Sequence, residues 1–130
     1  MYMPPSFAEN DPAVIQDFVA ANPLGILVSH DDQELVVTPV PFQFDGIRLV
    51  THVSRANKHW QALQASPHCT VVFQGNNAYV TPAWYESKKE TGMVVPTWNY
   101  EVVQFTGTAV IHEDPEWIRA QVGDITDHLE

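Results

Sequence analysis

Residues 51–60 read THVSRANKHW and hold Arg55, Lys58, His52 and His59 with no carboxylate among them. Ser54 and Asn57 add a hydroxyl and a carboxamide. Cations interleaved with neutral donors suit the grip of a small anion. A guanidinium binds two oxygens at once, an ammonium adds a point charge, and neutral donors fill the remaining lone pairs. The competing account leaves Arg55 and Lys58 as solvated surface and places Trp60 in the core; for Trp60 the core is preferred.

The setting makes the stretch informative. Six Lys plus Arg stand against sixteen Asp plus Glu in 130 residues, a net charge of −10. Residues 1–45 hold seven acids and no Lys or Arg, residues 46–92 carry a net +3, and residues 93–130 a net −6. A basic centre thus lies between acidic flanks. Beyond a Debye length of about 8 Å those flanks are largely screened, so a local cationic pocket can hold a small anion. Tight DNA binding neutralises about 6–10 phosphates, so direct DNA binding by this chain is doubtful.

Other chemistries find little footing. Cys69 is the only cysteine, which leaves no intrachain disulfide or CxxC pair and fits a reducing compartment. Its place at the start of an apolar strand suits the core. His52, His59 and His68 lack the paired spacing of a zinc site. No GxSxG, P-loop or GxGxxG occurs, and Ser54 near His52 is no triad without an orienting group. The N-terminal MYMPPSFAENDP has no basic leader or apolar run, and no stretch approaches the roughly 20 apolar residues of a membrane span. The expectation is a cytoplasmic protein of one domain, residues 1–130, with no membrane association.

The elements that must position the basic stretch follow from pattern. NDPAVIQDFVAAN predicts a helix capped by Asn10 or Asp11 with Pro12 at its first position and Val14, Ile15, Phe18 and Val19 as its apolar stripe. LGILVSH and LVVTPVPFQF read as strands joined through DDQE, and Asp45-Gly46 as a hairpin turn into IRLVTHV. Asn57 is expected to cap a short helix over KHWQALQ. CTVVFQG and AYVTP are expected as strands around a turn at Asn76-Asn77, residues 83–93 as a loop, and VVQFTGTAVIH as a longer strand. EDPEWIRAQVGDITDHLE predicts a last helix with Trp117, Ile118 and Ile125 on its apolar face and Gly123 weakening its second half. Several strands with hairpin turns and no βαβ rhythm favour an antiparallel barrel, with a sandwich as the alternative. Pro39 and Pro41, two apart, leave one edge of their strand without N–H donors, as at a protected sheet edge or a ligand or subunit seam.

HVSRANKHW, VVFQG, AYVTPAWY followed by SK, and VVPTWNY occur in that order after a MYMPPSF opening. Together, over roughly residues 1–115, they make the chain resemble the PaiB-like FMN-binding proteins, named for a negative transcriptional regulator of sporulation and protease synthesis. The resemblance implies a mainly β fold with flanking α-helices, an antiparallel split β-barrel of the FMN-binding type. It also implies a homodimer with FMN at the subunit interface. The FMN phosphate, with roughly −2 charge, would take Arg55 as a bidentate clamp, Lys58 as a point charge and Ser54 and Asn57 as neutral donors, beside a helix starting near residue 57. The isoalloxazine would lie against residues 37–41, with Thr38, Pro39 and Val40 as its wall. His52, expected to alternate with Arg48 and Val50 on one strand face, would approach the ring or ribityl chain. Thr97, Trp98 and Asn99 would lie on a segment crossing to the neighbouring subunit, while Lys88 and Lys89 fit solvated surface.

Members of that family continue past the final helix into another strand and a KLSQN-like segment. The sequence here ends at DITDHLE, so the barrel is expected to be C-terminally short and its hold on flavin reduced. Three functions remain: an FMN-binding regulator acting indirectly through flavin or a partner, a flavin-dependent oxidoreductase of flavin-reductase or pyridoxamine-phosphate-oxidase type, and a haem binder ligated by His52, His59 or His112. No residue is demanded as acid or base by the flavin chemistry.

Overall fold

The computed structural model describes residues 1–130. A short 3₁₀ turn at Pro5–Phe7 precedes α1, Pro12–Ala21, whose N-cap Asp11 accepts the Ala13 N–H. Proline at the first turn forfeits only an N–H that would have no helical partner. α1 buries Val19 and packs Phe18 on the core, while Val14 stays exposed, so the apolar stripe is narrower than its sequence suggests. β1, Leu24–His30, turns through Asp31, whose carboxylate accepts the Gln33 and Glu34 N–H groups, into β2, Leu35–Pro41. β3, Gln43–Phe44, and β4, Leu49–Val50, form a hairpin closed by Asp45, with Gly46 at φ 93° in the left-handed region where side chains are strained. Then come α2, His59–Ala65; β5, His68–Val80; α3, Ser87–Thr91; β6, Thr97–Thr108; and α4, Pro115–Leu129.

The main sheet is antiparallel in the order β2-β1-β5-β6, and β3–β4 forms a separate ribbon. The mainly β, antiparallel architecture with flanking helices therefore stands. Its core face carries Leu27, Val40, Val71 and Phe73, covered by Val19, Phe42 and Leu63. Phe73 lies edge-on to Phe42 and Phe105, with ring centroids 5.6 and 6.0 Å away. Gly25 makes room for them: a Cβ there would come within 2.7 Å of Phe73 and 2.9 Å of Phe42. Leu24, Ile26, Leu35 and Val37 point to the opposite face and remain exposed.

Several local expectations give way. Asn76-Asn77 is no turn. β5 runs on as one strand, absorbing an extra residue in a bulge between Gln74 and Asn77, where Glu101 of β6 accepts from the Asn76 backbone and side chain. The strand after Gly46 stops at Val50, so His52 does not alternate with Arg48 on a strand face. The cause is the proline edge. β2 is an edge strand; the Phe42 N–H donates to Pro23 on the β1 side, and on the bare side the Thr51 hydroxyl donates to the Pro41 carbonyl at 2.6 Å. With no N–H from Pro39 or Pro41, a backbone ladder cannot form there. Residues 83–93 fold into the end of a 3₁₀ turn, Pro82–Trp84, and α3, which Gly92 ends in left-handed geometry. β6 begins at Thr97 and ends at Thr108, and Gly123 does not interrupt α4.

An anion clamp beside an apolar cleft

Residues 51–58 run along the bare edge of β2 and turn into α2. Within the turn the Asn57 N–H donates to the Ser54 carbonyl at 2.8 Å, and the Ala56 N–H to the Ser54 hydroxyl at 3.3 Å. α2 begins at His59, later than expected, and the Asn57 carboxamide oxygen accepts the His59 N–H at 3.0 Å. The Trp60 indole N–H donates to the Arg55 carbonyl at 3.1 Å, and the Arg55 guanidinium stands 5.7 Å over the Trp60 ring. The backbone carrying Arg55 is thus held from both sides, while its side chain is 80% exposed and its charge remains presented to solvent. Glu113 approaches that guanidinium at 3.5 Å. Lys58 is exposed and makes no ion pair.

Beside the clamp opens a cleft of about 710 Å³, within the range of roughly 300–1,000 Å³ common for small-molecule sites. Its floor is Leu27, Val71 and Phe105 of the main sheet; the β3–β4 ribbon forms one wall and α4 another. Arg55, His52, Trp60 and Glu113 also line it. On the α4 side His112 stacks on Trp117 with centroids 3.9 Å apart. Cys69 contributes an apolar surface; burial pushes its thiol pKa up, away from nucleophilic use.

The expected site residues divide into two groups. Thr38, Ser54, Arg55, Asn57 and Lys58 come together, because the Asn57 carboxamide donates to the Thr38 hydroxyl at 3.4 Å across the bare edge. His52 joins Arg55 on the cleft. Pro39 is exposed, whereas the Val40 side chain turns into the core and the residue pairs with Gly25. Thr97, Trp98 and Asn99 stand elsewhere, all exposed, on an arm where β5 and β6 continue past the bulge. There the Trp98 indole donates to Asn77 at 2.9 Å and tilts against Tyr79. None of the three lines this chain's own cleft.

Two residues take parts in the site that the sequence does not indicate. Glu113 carried no signal, since its pairing with Arg55 spans 58 residues of sequence. His59, read from sequence as part of the basic stretch and weighed as a zinc or haem ligand, is instead buried, at 1% exposure, with Nε2 2.9 Å from the Ser29 hydroxyl and Nδ1 2.8 Å from that of Thr38. Both ring nitrogens are engaged, which leaves none for a haem iron. It takes the core position expected of Trp60, which is only half-buried. No group of three or more His, Cys, Asp or Glu is placed to hold a metal ion, and no helix is long and apolar enough to cross a membrane.

Among curated proteins, the chain is 35% identical over 105 residues to an uncharacterized protein of Saccharomyces cerevisiae, covering 76% of this chain and 62% of that one. It is 31% identical over 120 residues to the protease synthase and sporulation protein PAI 2 of Bacillus subtilis, covering 89% of this chain and 56% of the relative. The chain thus spans about three fifths of the length of these relatives. Two solved structures share the fold. A "putative 5-nitroimidazole antibiotic resistance protein" from Bacteroides thetaiotaomicron superposes with TM-score 0.73 at 16% identity, over 94% of this chain and 68% of that one. An FAD and heme binding protein from Mycobacterium smegmatis superposes with TM-score 0.72 at 20% identity, over 93% and 55%. The flavin-type, split-barrel kinship expected from the motifs holds at the level of fold. Residues 1–130 match the family described as "Putative FMN-binding domain", and the chain belongs to that family.

Proposed function

We propose that this chain binds FMN with its phosphate on Arg55 and Lys58, and that it works as a homodimer whose regulatory effect is indirect. The observation that carries the proposal is the Arg55 turn, a guanidinium presented to solvent on a hydrogen-bonded backbone at the rim of a ligand-sized apolar cleft. These residues fit the cofactor. The phosphate needs charge-assisted donors, and the cations supply them; the flavin needs apolar and aromatic surface, and Trp60 with the cleft supplies that. Bound FMN carries hydride and electron chemistry itself. The chain grips the phosphate, orients the ring and excludes water.

A second copy is supported by what one copy leaves uncovered. Only 11 of 130 residues are buried, while Leu24, Ile26, Leu35 and Val37 lie exposed on one sheet face. Trp98 and Tyr100 project on the arm, 56% and 61% exposed. In the dimer, the arm carrying Thr97, Trp98 and Asn99 completes the neighbour's flavin site. With −10 per chain, any effect on transcription passes through flavin state or a protein partner rather than through DNA. Tight DNA binding in a gel shift at physiological salt would contradict this. The volume of the cleft favours a second activity, flavin-dependent oxidoreduction of a small apolar substrate. NAD(P)H-dependent turnover in the presence of FMN tests that.

The primary test is the visible spectrum after adding FMN and desalting, with sedimentation to read the oligomer. Retained flavin on a dimer supports the proposal; apoprotein in every preparation removes it. Glu113 bears on the same measurement, because its carboxylate competes with phosphate for Arg55. Glu113→Gln is expected to tighten FMN binding about two- to five-fold at low salt, as suits a largely exposed pair, and to leave riboflavin binding unchanged.

A further inference from the structure

His59 sits where α2, β1 and β2 meet, with a hydroxyl on each ring nitrogen: Ser29 from β1 and Thr38 from β2. Asn57 reaches the same Thr38 hydroxyl and also accepts the His59 backbone N–H. Asn57 in turn closes the Ser54 turn in which Arg55 sits. One continuous chain of hydrogen bonds therefore runs from Ser29 through His59, Thr38 and Asn57 to the turn that presents the guanidinium. Thr38 and Asn57 are engaged with each other and with His59, which suits a supporting part better than direct ligand contact.

A neutral imidazole has one donor and one acceptor, so one of the two hydroxyls donates to it and the other accepts from it. A protonated ring donates twice. Both hydroxyl oxygens must then accept, and the hydroxyl proton that had pointed at the ring loses its acceptor in a buried place. Thr38 would also accept from the ring and from Asn57 at once. No compensating charge is bonded to the ring. The groups facing it are Ser29, Thr38 and Asn57, with Cys69 beside Ser29 across the β1–β5 ladder; Arg55 and Lys58 on the neighbouring turn are cations that point to solvent.

We propose that neutral His59 is a positioning residue for the anion clamp, holding Thr38 and Asn57 and hence the Arg55 turn, and that its protonation loosens the clamp. Burial lowers the His59 pKa from its ordinary 6.5, so the folded chain takes up this proton less readily than the unfolded chain. Its contribution to stability is therefore complete above about pH 6.5 and is lost as pH falls below that value toward the lowered pKa. The clamp follows the same sign, firm at neutral pH and loose in mild acid.

The coupling's ligand arm rests on the FMN site proposed above, so the test has an arm without flavin. In the ligand-free wild type, the Trp60 indole N–H, which bonds the Arg55 carbonyl, is followed by NMR from about pH 8 to about pH 4.5, together with the His59 ring. The two are expected to titrate with one midpoint, and in His59→Gln the indole is expected not to titrate in this range. An indole resonance that stays still while His59 titrates overturns the proposal, and the wild type alone decides this if the variant does not fold. With FMN, affinity is expected to fall further in wild type than in His59→Gln between about pH 7.5 and about pH 5.5, by less than the roughly tenfold that a ring left at its ordinary 6.5 would give. The comparison with the variant is needed because the FMN phosphate itself titrates near pH 6. Equal pH profiles overturn the proposal. No FMN binding at any pH overturns the flavin site instead, and leaves the indole titration to decide the coupling.

Discussion

Arg55→Ala is expected to raise the dissociation constant for FMN by about 10–100-fold while leaving riboflavin, which lacks the phosphate, nearly unaffected. One charge-assisted hydrogen bond contributes about 1.5–3 kcal/mol, and a bidentate guanidinium offers two, offset by the loss of the Glu113 contact and by solvent exposure. The fold does not depend on the guanidinium, since the Arg55 backbone, not its side chain, receives the Trp60 indole. A loss of affinity will therefore report on the ligand rather than on unfolding. Arg55→Lys keeps the charge without the fork and should lie between alanine and wild type. Fluorescence titration of both flavins settles it. An equal loss for FMN and riboflavin would mean that Arg55 does not hold the phosphate.

Phe73→Ala is expected to lower stability by about 3–5 kcal/mol, the usual range for an aromatic removed from a packed core. That is a large share of the roughly 5–15 kcal/mol of a typical domain. Phe73 is fully buried between Phe42 and Phe105, and it fills the space that Gly25 leaves open. The ring therefore ties β5 to β1, to β6 and to the segment after β2. Urea unfolding monitored by circular dichroism gives the number. A loss below about 1 kcal/mol would show that the aromatic cluster collapses into the gap.

Where local chemistry dictates the backbone, the sequence was legible. Asp11 with Pro12 and Asp114 with Pro115 mark their helix starts, Asp45-Gly46 marks its hairpin, and Pro39 with Pro41 marks an edge strand. Asn76-Asn77 misled because a bulge and a turn share a composition. What separates them is Glu101, a partner far along the chain that receives the extra N–H. In the candidate site, the donor types in residues 54–58 were legible, but not their engagements. Asn57 and Thr38 meet only because β2 runs past the turn into α2, a contact that no local pattern encodes. Burial of His59 rather than Trp60 depends likewise on two hydroxyls from separate strands.

The register of the main sheet also bears on the order of assembly. β1 with β2, and β5 with β6, pair along nearly their whole lengths, whereas β1 meets β5 only from Ile26↔Val72 to Ser29↔Cys69. Each hairpin forms from neighbours in the chain; the short seam between them must close a loop of some forty residues, the kind of non-local pairing that slows folding. Docking of two preformed ribbons is thus expected to be the slow event. Truncation of Val72 at the seam should slow refolding more than truncation of Val102 on the outer ladder, in stopped-flow measurements. The hydroxyls that hold His59, from Ser29 and Thr38, both belong to the β1–β2 ribbon, so the clamp's support depends on that ribbon and α2 and does not await the docking of the second ribbon.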